Sequence, residues 1–299
     1  AEVIGVSLLY DKVYVQRTNP ATGELDQELA RIPAELRDVL IPDGEVLIEH
    51  YDGWPIALKA WRAPAGTFGK GTVYFLDVPE ELDVVGGREN VVYPGRRDAE
   101  RAAEARQTQN WILGRGALAL MARLGRRPDL VVQSETAAMF AHPHLIQDRF
   151  QTDPMFAGTL APFNDHTPLD YSHPHWDRET LQRLKIDPRY YSHLPIFSVD
   201  PYTRIEMADV TAMLVNASDP VFGVSEKHAR VMRGMPVLRP WQEKIVHVTN
   251  GVSREIWPQD EFRTLEQVER LSNAELLDVK RRRRAEGLRW LAQRQRLGE

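Results

Sequence analysis

Between residues 164 and 175 the chain reads Asn-Asp-His-Thr-Pro-Leu-Asp-Tyr-Ser-His-Pro-His. Five side chains in this stretch, Asp165, His166, Asp170, His173 and His175, could ligate a metal or move a proton. Imidazole and carboxylate ligands suit zinc or manganese. Two prolines in the segment, and the lack of a His-x-x-x-His pair on one helix face, leave such ligands without a fixed geometry. His166 is then either a functional imidazole or a loop histidine bonded to backbone. Glu135 opens a predicted helix, where a carboxylate is stabilised by the positive end of the helix dipole. Asn250-Gly251 reads as a tight turn needing positive φ. His228 reads as a helix residue bonded to a neighbouring loop. The run Lys280-Arg281-Arg282-Arg283-Arg284 lies in a helical pattern with Leu276, Leu277, Leu288 and Leu291 on its apolar side, as a solvated face does.

The elements that must carry these residues fall into two kinds. Residues 3–10 form a continuous apolar run, predicted as a buried strand. Lys12 to Arg17 alternate as a half-exposed strand does, and Asn19-Pro20-Ala21-Thr22-Gly23 follows as a turn. Val46 to Tyr51, Pro55 to Trp61 and Thr72 to Asp77 are further strands, separated by Asp52-Gly53 and a glycine-rich stretch, so the first third is predicted to be antiparallel. After Pro94-Gly95 the pattern changes. A helix is predicted from Asp98 to Leu124, with Ala102, Ala105, Ile112, Leu113, Leu120 and Leu124 on one face. Short strands at Leu130–Val132, Thr159–Phe163, Val221–Val224 and Ile245–Val248 then alternate with helices at about 135–147, 203–217 and 225–235, the last capped by Ser225. Short strands separated by helices make a parallel sheet covered on both faces. Ligands of such sheets sit beyond the strands' C-terminal ends. Segments 133–137, 164–168, 225–228 and 249–252 are therefore the predicted site loops.

Composition narrows the classes. The 299 residues are 42% hydrophobic and 27% charged, with a formal charge of -5, which is not the footprint of a nucleic-acid binder. There is no cysteine, hence no disulfide or thiolate metal site. No apolar run is long enough to cross a bilayer, and no signal peptide is visible. A cytoplasmic protein fits these features. The chain opens on Ala1 and enters a core strand at once, as an excised fragment would.

The strand-end segments, taken in order, resemble the α-glucan phosphorylases of glycogen, starch and maltodextrin. Val3 to Tyr10 resembles that family's "VGVGLLY" strand, and Val73 to Asp77 its "VYLLDT". Val92-Tyr93-Pro94-Gly95-Arg96 is similar to the turn before the family's long helix. Arg127 to Leu130 with Ser134 to Phe140 resembles "PDVYHLNEGHAAF", and Asp165-His166-Thr167-Pro168 resembles the "THTP" segment. Phe222 to Val231 is similar to "NGVSRLHGEVSR", and His247 to Trp257 to "HVTNGVHVPTW". The collinearity covers nearly the whole chain.

The resemblance implies a GT-B-type α/β fold, with a Rossmann-like parallel sheet flanked by helices and a strand-rich N-terminal portion. Residues 1–299 would be the N-terminal lobe, 1–95 strand-rich and 96–299 α/β, of a two-lobed glycosyltransferase. The implied reaction is phosphorolysis of terminal α-1,4-glucosidic bonds to glucose 1-phosphate, with α-glucan and phosphate as partners. His166 would face the sugar at the cleavage point, its imidazole on the 6-hydroxyl and its carbonyl near the anomeric carbon. There a fixed dipole stabilises the oxocarbenium-like transition state. Glu135 would hold acceptor hydroxyls, and Asp165, Thr167, Asn250 and Gly251 would line the cleft. The pyridoxal phosphate cofactor, its lysine and the groups binding substrate phosphate would belong to a C-terminal lobe absent from this chain. The 299 residues alone would then be inactive. Family enzymes are often homodimers, and neither nucleic acid nor membrane is an implied partner. This chain departs from the family pattern at Ala137 and Ser134, where histidine and asparagine are usual, and at Ser253. Two alternatives stay open. One is a nucleotide-sugar-dependent glycogen or starch synthase-like transferase, and the other a non-catalytic glucan-binding relative of the phosphorylases.

Overall fold

The computed structural model describes residues 2–18, 25–78, 99–141, 153–169, 172–192, 194–200, 204–251 and 264–296. The chain divides into two compact units, one of residues 1–15 and 28–249 and one of residues 16–27 and 250–299.

The larger unit begins with strand β1 (Ile4–Leu8). A two-stranded sheet follows, made of β2 (Lys12–Thr18) and β3 (Leu25–Arg31), whose far ends belong to the smaller unit. After the short helix α1 (Ala34–Asp38) come β4 (Ile41–Glu49), β5 (Pro55–Arg62) and β6 (Thr72–Asp77). The sheet order is β1-β6-β5-β4. β4, β5 and β6 are antiparallel neighbours. They turn at Asp52-Gly53, with Gly53 at φ 92°, and through the glycine-rich stretch, where Gly66 and Gly69 also have positive φ. β1 departs from the antiparallel expectation, pairing with β6 in parallel, Val6 opposite Tyr74. The turn signals that set the meander govern only β4 to β6. A strand lying before them in the chain can enter either way.

Helix α2 (Ala99–Arg123) follows. Its predicted face is buried at Ala105, Ile112 and Leu120, and so is the polar run Gln107-Thr108-Gln109-Asn110. The helix is enclosed because it serves two cores. Trp111 packs with Phe140, Phe163 and Met213, while Ile112, Leu118 and Leu120 pack with Leu8, Leu58 and Leu76. Gly114 and Gly116 set how closely it lies. A Cβ on Gly114 would meet the Ala141 nitrogen at 2.5 Å, and one on Gly116 would meet Leu76 Cδ1 at 2.6 Å.

The second sheet is parallel throughout. It contains β7 (Gln133–Ser134), β8 (Phe163–Asp165), β12 (Val221–Gly223) and β13 (Ile245–His247), in the order β13-β12-β8-β7. Between β8 and β12 the chain builds an unforeseen antiparallel sheet from β9 (His175–Asp177), β10 (Phe197–Val199) and β11 (Glu206–Asp209), with helix α3 (Arg178–Arg183) after β9. Helix α4 (Val210–Ala217) is apolar and buried nearly throughout. Helix α5 (Glu226–Gly234) starts as expected at Ser225, whose Oγ accepts from the His228 N–H.

Several expectations shift. Leu130 and Val132 are more than half exposed, and only Leu130 bridges to Leu160 ahead of β7 and β8. Parallel pairing thus begins within the expected strands, and the continuous ladder runs from Gln133 and Phe163. No α-helix occupies 135–140, and the next helical residue is Ala141. Thr136–Ala138 is a single 3₁₀ turn, entered from Glu135 in a non-helical conformation with its N–H donated to Asn164 O. Within the helix expected at 203–217, Glu206–Asp209 is a strand and only Val210–Ala217 is helical. The segments 19–23, 92–96, 142–147 and 252–257, and Asp170, lie outside the described residues.

In the smaller unit, helices α6 (Leu265–Glu269) and α7 (Asn273–Arg296) follow one another. Thr264 and Gln267 form a reciprocal capping box on α6. On α7 Leu277 and Leu288 of the expected apolar side are more than half exposed and Leu276 is half-buried, whereas Val279, outside that set, is buried. Lys280, Arg281, Arg282 and Arg284 are exposed, as expected for a solvated face. Among the described residues no helix is long and apolar enough to cross a membrane.

Candidate functional site: the C-terminal rim of the parallel sheet

The register Ser134–Asn164–Phe222–Val246 puts four strand ends on one rim. Glu135 follows β7, His166 and Thr167 follow β8, Ser225 follows β12 and Val248 follows β13. The floor beneath is polar and buried. Gln133 donates to Ser218 Oγ at 3.4 Å, and Asn164 Nδ2 donates to Phe222 O at 3.1 Å.

Glu135 stands at φ 57° and ψ −174°, a backbone region that residues with a Cβ rarely occupy. The sheet holds it there through its N–H to Asn164 O at 2.9 Å. In that conformation its carboxylate turns to the next loop. Oε1 accepts from the His166 N–H at 2.9 Å and from Thr167 Oγ1 at 3.2 Å. The structure thus brings Glu135, His166 and Thr167 together, and gives Glu135 a partner other than a helix dipole.

Asp165 is 1% exposed. Its Oδ1 accepts from the Thr167 N–H at 3.1 Å, and its Oδ2 faces His228 Nε2 at 3.6 Å. Two carboxylates therefore take both consecutive amide protons of the His166–Thr167 turn, and the His166 side chain stands exposed. Backbone donors there are not available to an anion. The rim instead concentrates negative charge beside an exposed imidazole, which suits developing positive charge in a ligand.

Asn250 and Gly251 are exposed residues of the smaller unit. Neither has positive φ, so the expected left-handed turn is not formed. Ala137 is half-buried and Ser134 exposed, so the two departures from the phosphorylase pattern flank Glu135 directly.

His173 and His175 go elsewhere. His173 Nδ1 lies 2.9 Å from Asp209 Oδ2, and His175 Nε2 lies 3.8 Å from the same oxygen. Asp209 Oδ1 also caps α4 by accepting from the Ala212 N–H at 2.7 Å. Asp209 was missing from the candidates. Its one sequence signal is an acidic residue before the apolar run Val210–Val215, which marks an N-cap but not a histidine partner. Among the described residues, no group of three or more His, Asp or Glu is arranged to hold a metal ion. A concavity lined by Gln182, Lys185, Ile186, Asp187, Pro188 and Arg189 contains none of the rim residues.

The catalytic domain of starch synthase IV from Arabidopsis thaliana, solved with ADP and acarbose, superposes on this chain with a TM-score of 0.53 at 16% identity. The fold is, in part, glycosyltransferase-like. The alignment covers 75% of this chain and 43% of the synthase domain, so the glycosyltransferase-like portion spans under half of that domain's length. An α/β hydrolase from Novosphingobium aromaticivorans aligns over 71% of this chain and 90% of its own at 11% identity, with a TM-score of 0.26, too loose a fit to bear on the fold. No protein-family model matches the chain, and no curated protein does.

Proposed function

We propose that this chain is the acceptor-side lobe of a glycosyltransferase acting on α-glucan, with the rim at Glu135, Asp165, His166 and Thr167 as its sugar contact. The observation that carries the reading is the His166–Thr167 turn, whose two amides are consumed by carboxylates while its imidazole stays exposed. Glucosyl transfer passes through an oxocarbenium-like state. An electron-rich turn stabilises that charge, and the imidazole can exchange hydrogen bonds with a sugar hydroxyl. Within this reading Glu135 orients His166, and its second oxygen remains for an acceptor hydroxyl.

The likeness to a starch synthase domain favours a nucleotide-sugar donor over phosphate. The collinear motifs from Ser134–Phe140 to His247–Trp257 favour the second reading, phosphorolysis of an α-1,4-glucan. Under either reading the donor or phosphate would be held by another lobe. Two carboxylates beside occupied amides are the wrong surroundings for a phosphate group, so pyridoxal phosphate is given no residue of this chain and no step runs through it.

An enzyme in which this chain is joined to a second lobe is the proper test. Incubated with maltoheptaose and ADP-glucose, it is expected to lengthen the glucan and release ADP. Glucose 1-phosphate formed from maltoheptaose and phosphate would select the second reading. Neither product would contradict both. The 299 residues alone are expected to turn over nothing, because a reacting pair needs both walls of a cleft to be oriented.

A further inference from the structure

Asp165 Oδ2 and His228 Nε2 are both buried, and neither has a hydrogen-bond partner among the described residues. They face each other at 3.6 Å. Orphaned buried polar atoms are costly, and each of these is best satisfied by a slight approach to the other. The approach is built in by β12 and the start of α5. Gly223 is the register partner of Asp165 on the neighbouring strand. Its missing side chain leaves the space that His228 fills, since a Cβ there would lie 2.9 Å from His228 Cδ2. Ser225 then caps α5 by holding the His228 N–H, which fixes the imidazole's origin.

We propose that His228 is a positioning residue of the rim, acting through Asp165 on the His166–Thr167 turn. One oxygen of Asp165 holds the Thr167 amide and the other faces the imidazole. A carboxylate engaged on one side only can rotate and release the turn. Engaged on both, it has one orientation. The proposal deepens the glycosyl-transfer reading and rests on it only for the consequence in sugar binding.

The test uses His228→Leu, which removes the ring nitrogens, and His228→Gln, which keeps a donor, in the whole 299-residue chain. Amide hydrogen exchange at Thr167 is measured beside that at Leu76, which reports on the other sheet. H228L is expected to speed exchange at Thr167 by about tenfold while leaving Leu76 unchanged, and H228Q to restore the slower rate. Maltoheptaose affinity, measured on the same samples, is expected to fall several-fold in H228L alone. Unchanged Thr167 exchange in H228L would overturn the proposal, as would equal acceleration at Thr167 and Leu76. Should Thr167 respond while the unaltered chain binds no maltoheptaose, the positioning role stands and the sugar reading fails. If H228L does not fold, Gly223→Ala displaces the imidazole with Asp165 and His228 chemically intact, and the same Thr167 reading decides.

Discussion

Replacing Glu135 by alanine and by glycine separates the two things this residue does. Its carboxylate holds a backbone amide and a threonine hydroxyl, and its backbone sits in a region that glycine enters freely. A hydrogen bond to a charged acceptor contributes about 1.5–3 kcal/mol, and a second of ordinary strength about 1 kcal/mol. Glu135 is half-buried, so solvent replaces part of this, and about 2 kcal/mol is the expected loss for Glu135→Ala. Alanine keeps the strained φ and glycine relieves it, a difference of about 1–3 kcal/mol. Glu135→Gly should therefore lie close to the unaltered chain, offset by the backbone entropy of glycine at about 0.5–1 kcal/mol. Urea denaturation followed by tryptophan fluorescence measures all three proteins. The expected order of stability is unaltered chain, then glycine, then alanine, with equal slopes. Alanine as stable as glycine would mean that Glu135 carries no strain, and alanine as stable as the unaltered chain would mean that the carboxylate does not hold the turn.

Two further expectations concern buried positions away from the rim. Gly114→Ala gains about 1 kcal/mol of helix propensity, yet its Cβ meets backbone of Ala141 and Phe140 at 2.5–2.6 Å. Backbone cannot yield as a side-chain tip does, so a net loss of about 1–3 kcal/mol is expected in the urea midpoint, and a neutral outcome would contradict the close packing of α2. His50 is buried, accepts from the Asp52 N–H and stacks on Trp54, and burial lowers its pKa below the usual 6.5. The unfolded chain then binds the proton more readily, so stability is full above pH 6.5 and declines as pH falls through the lowered value. His50→Phe should flatten that decline in urea titrations between pH 7 and 5, and an unchanged slope would remove His50 as its cause.

Local signals carried much of the architecture. Asp52-Gly53 and the glycine-rich stretch fixed the β4–β6 meander, because positive-φ turns have few residue solutions. Ser225 announced α5, and the apolar spacing from Ala105 to Leu120 announced α2. The parallel sheet and its rim followed from the alternation of short strands with helices, and with them the meeting of Glu135 with His166. Other features depend on distant partners. The apolar residues Leu130 and Val132 stand exposed on either side of Val131, which packs on the core, so an apolar run alone did not show which side chains are covered. The three-stranded sheet of β9, β10 and β11 uses strands too short to show a period of two. The helical pattern after Glu135 gives only a 3₁₀ turn, entered from a residue held at positive φ whose N–H donates to Asn164 O, a partner that nothing within ten residues announces. Asp209 and His228 each look like an ordinary helix-start residue. Their roles arise only when the fold sets His173 and Asp165 against them.

The most direct measurement is a ¹H–¹⁵N spectrum of the 299-residue chain titrated with maltoheptaose, beside the His166→Ala variant. Saturable shifts centred on Glu135, His166 and Thr167, lost in the variant, are the predicted result. Shifts confined to other surfaces, or none at all up to millimolar sugar, would contradict the assignment of this rim to a glucan.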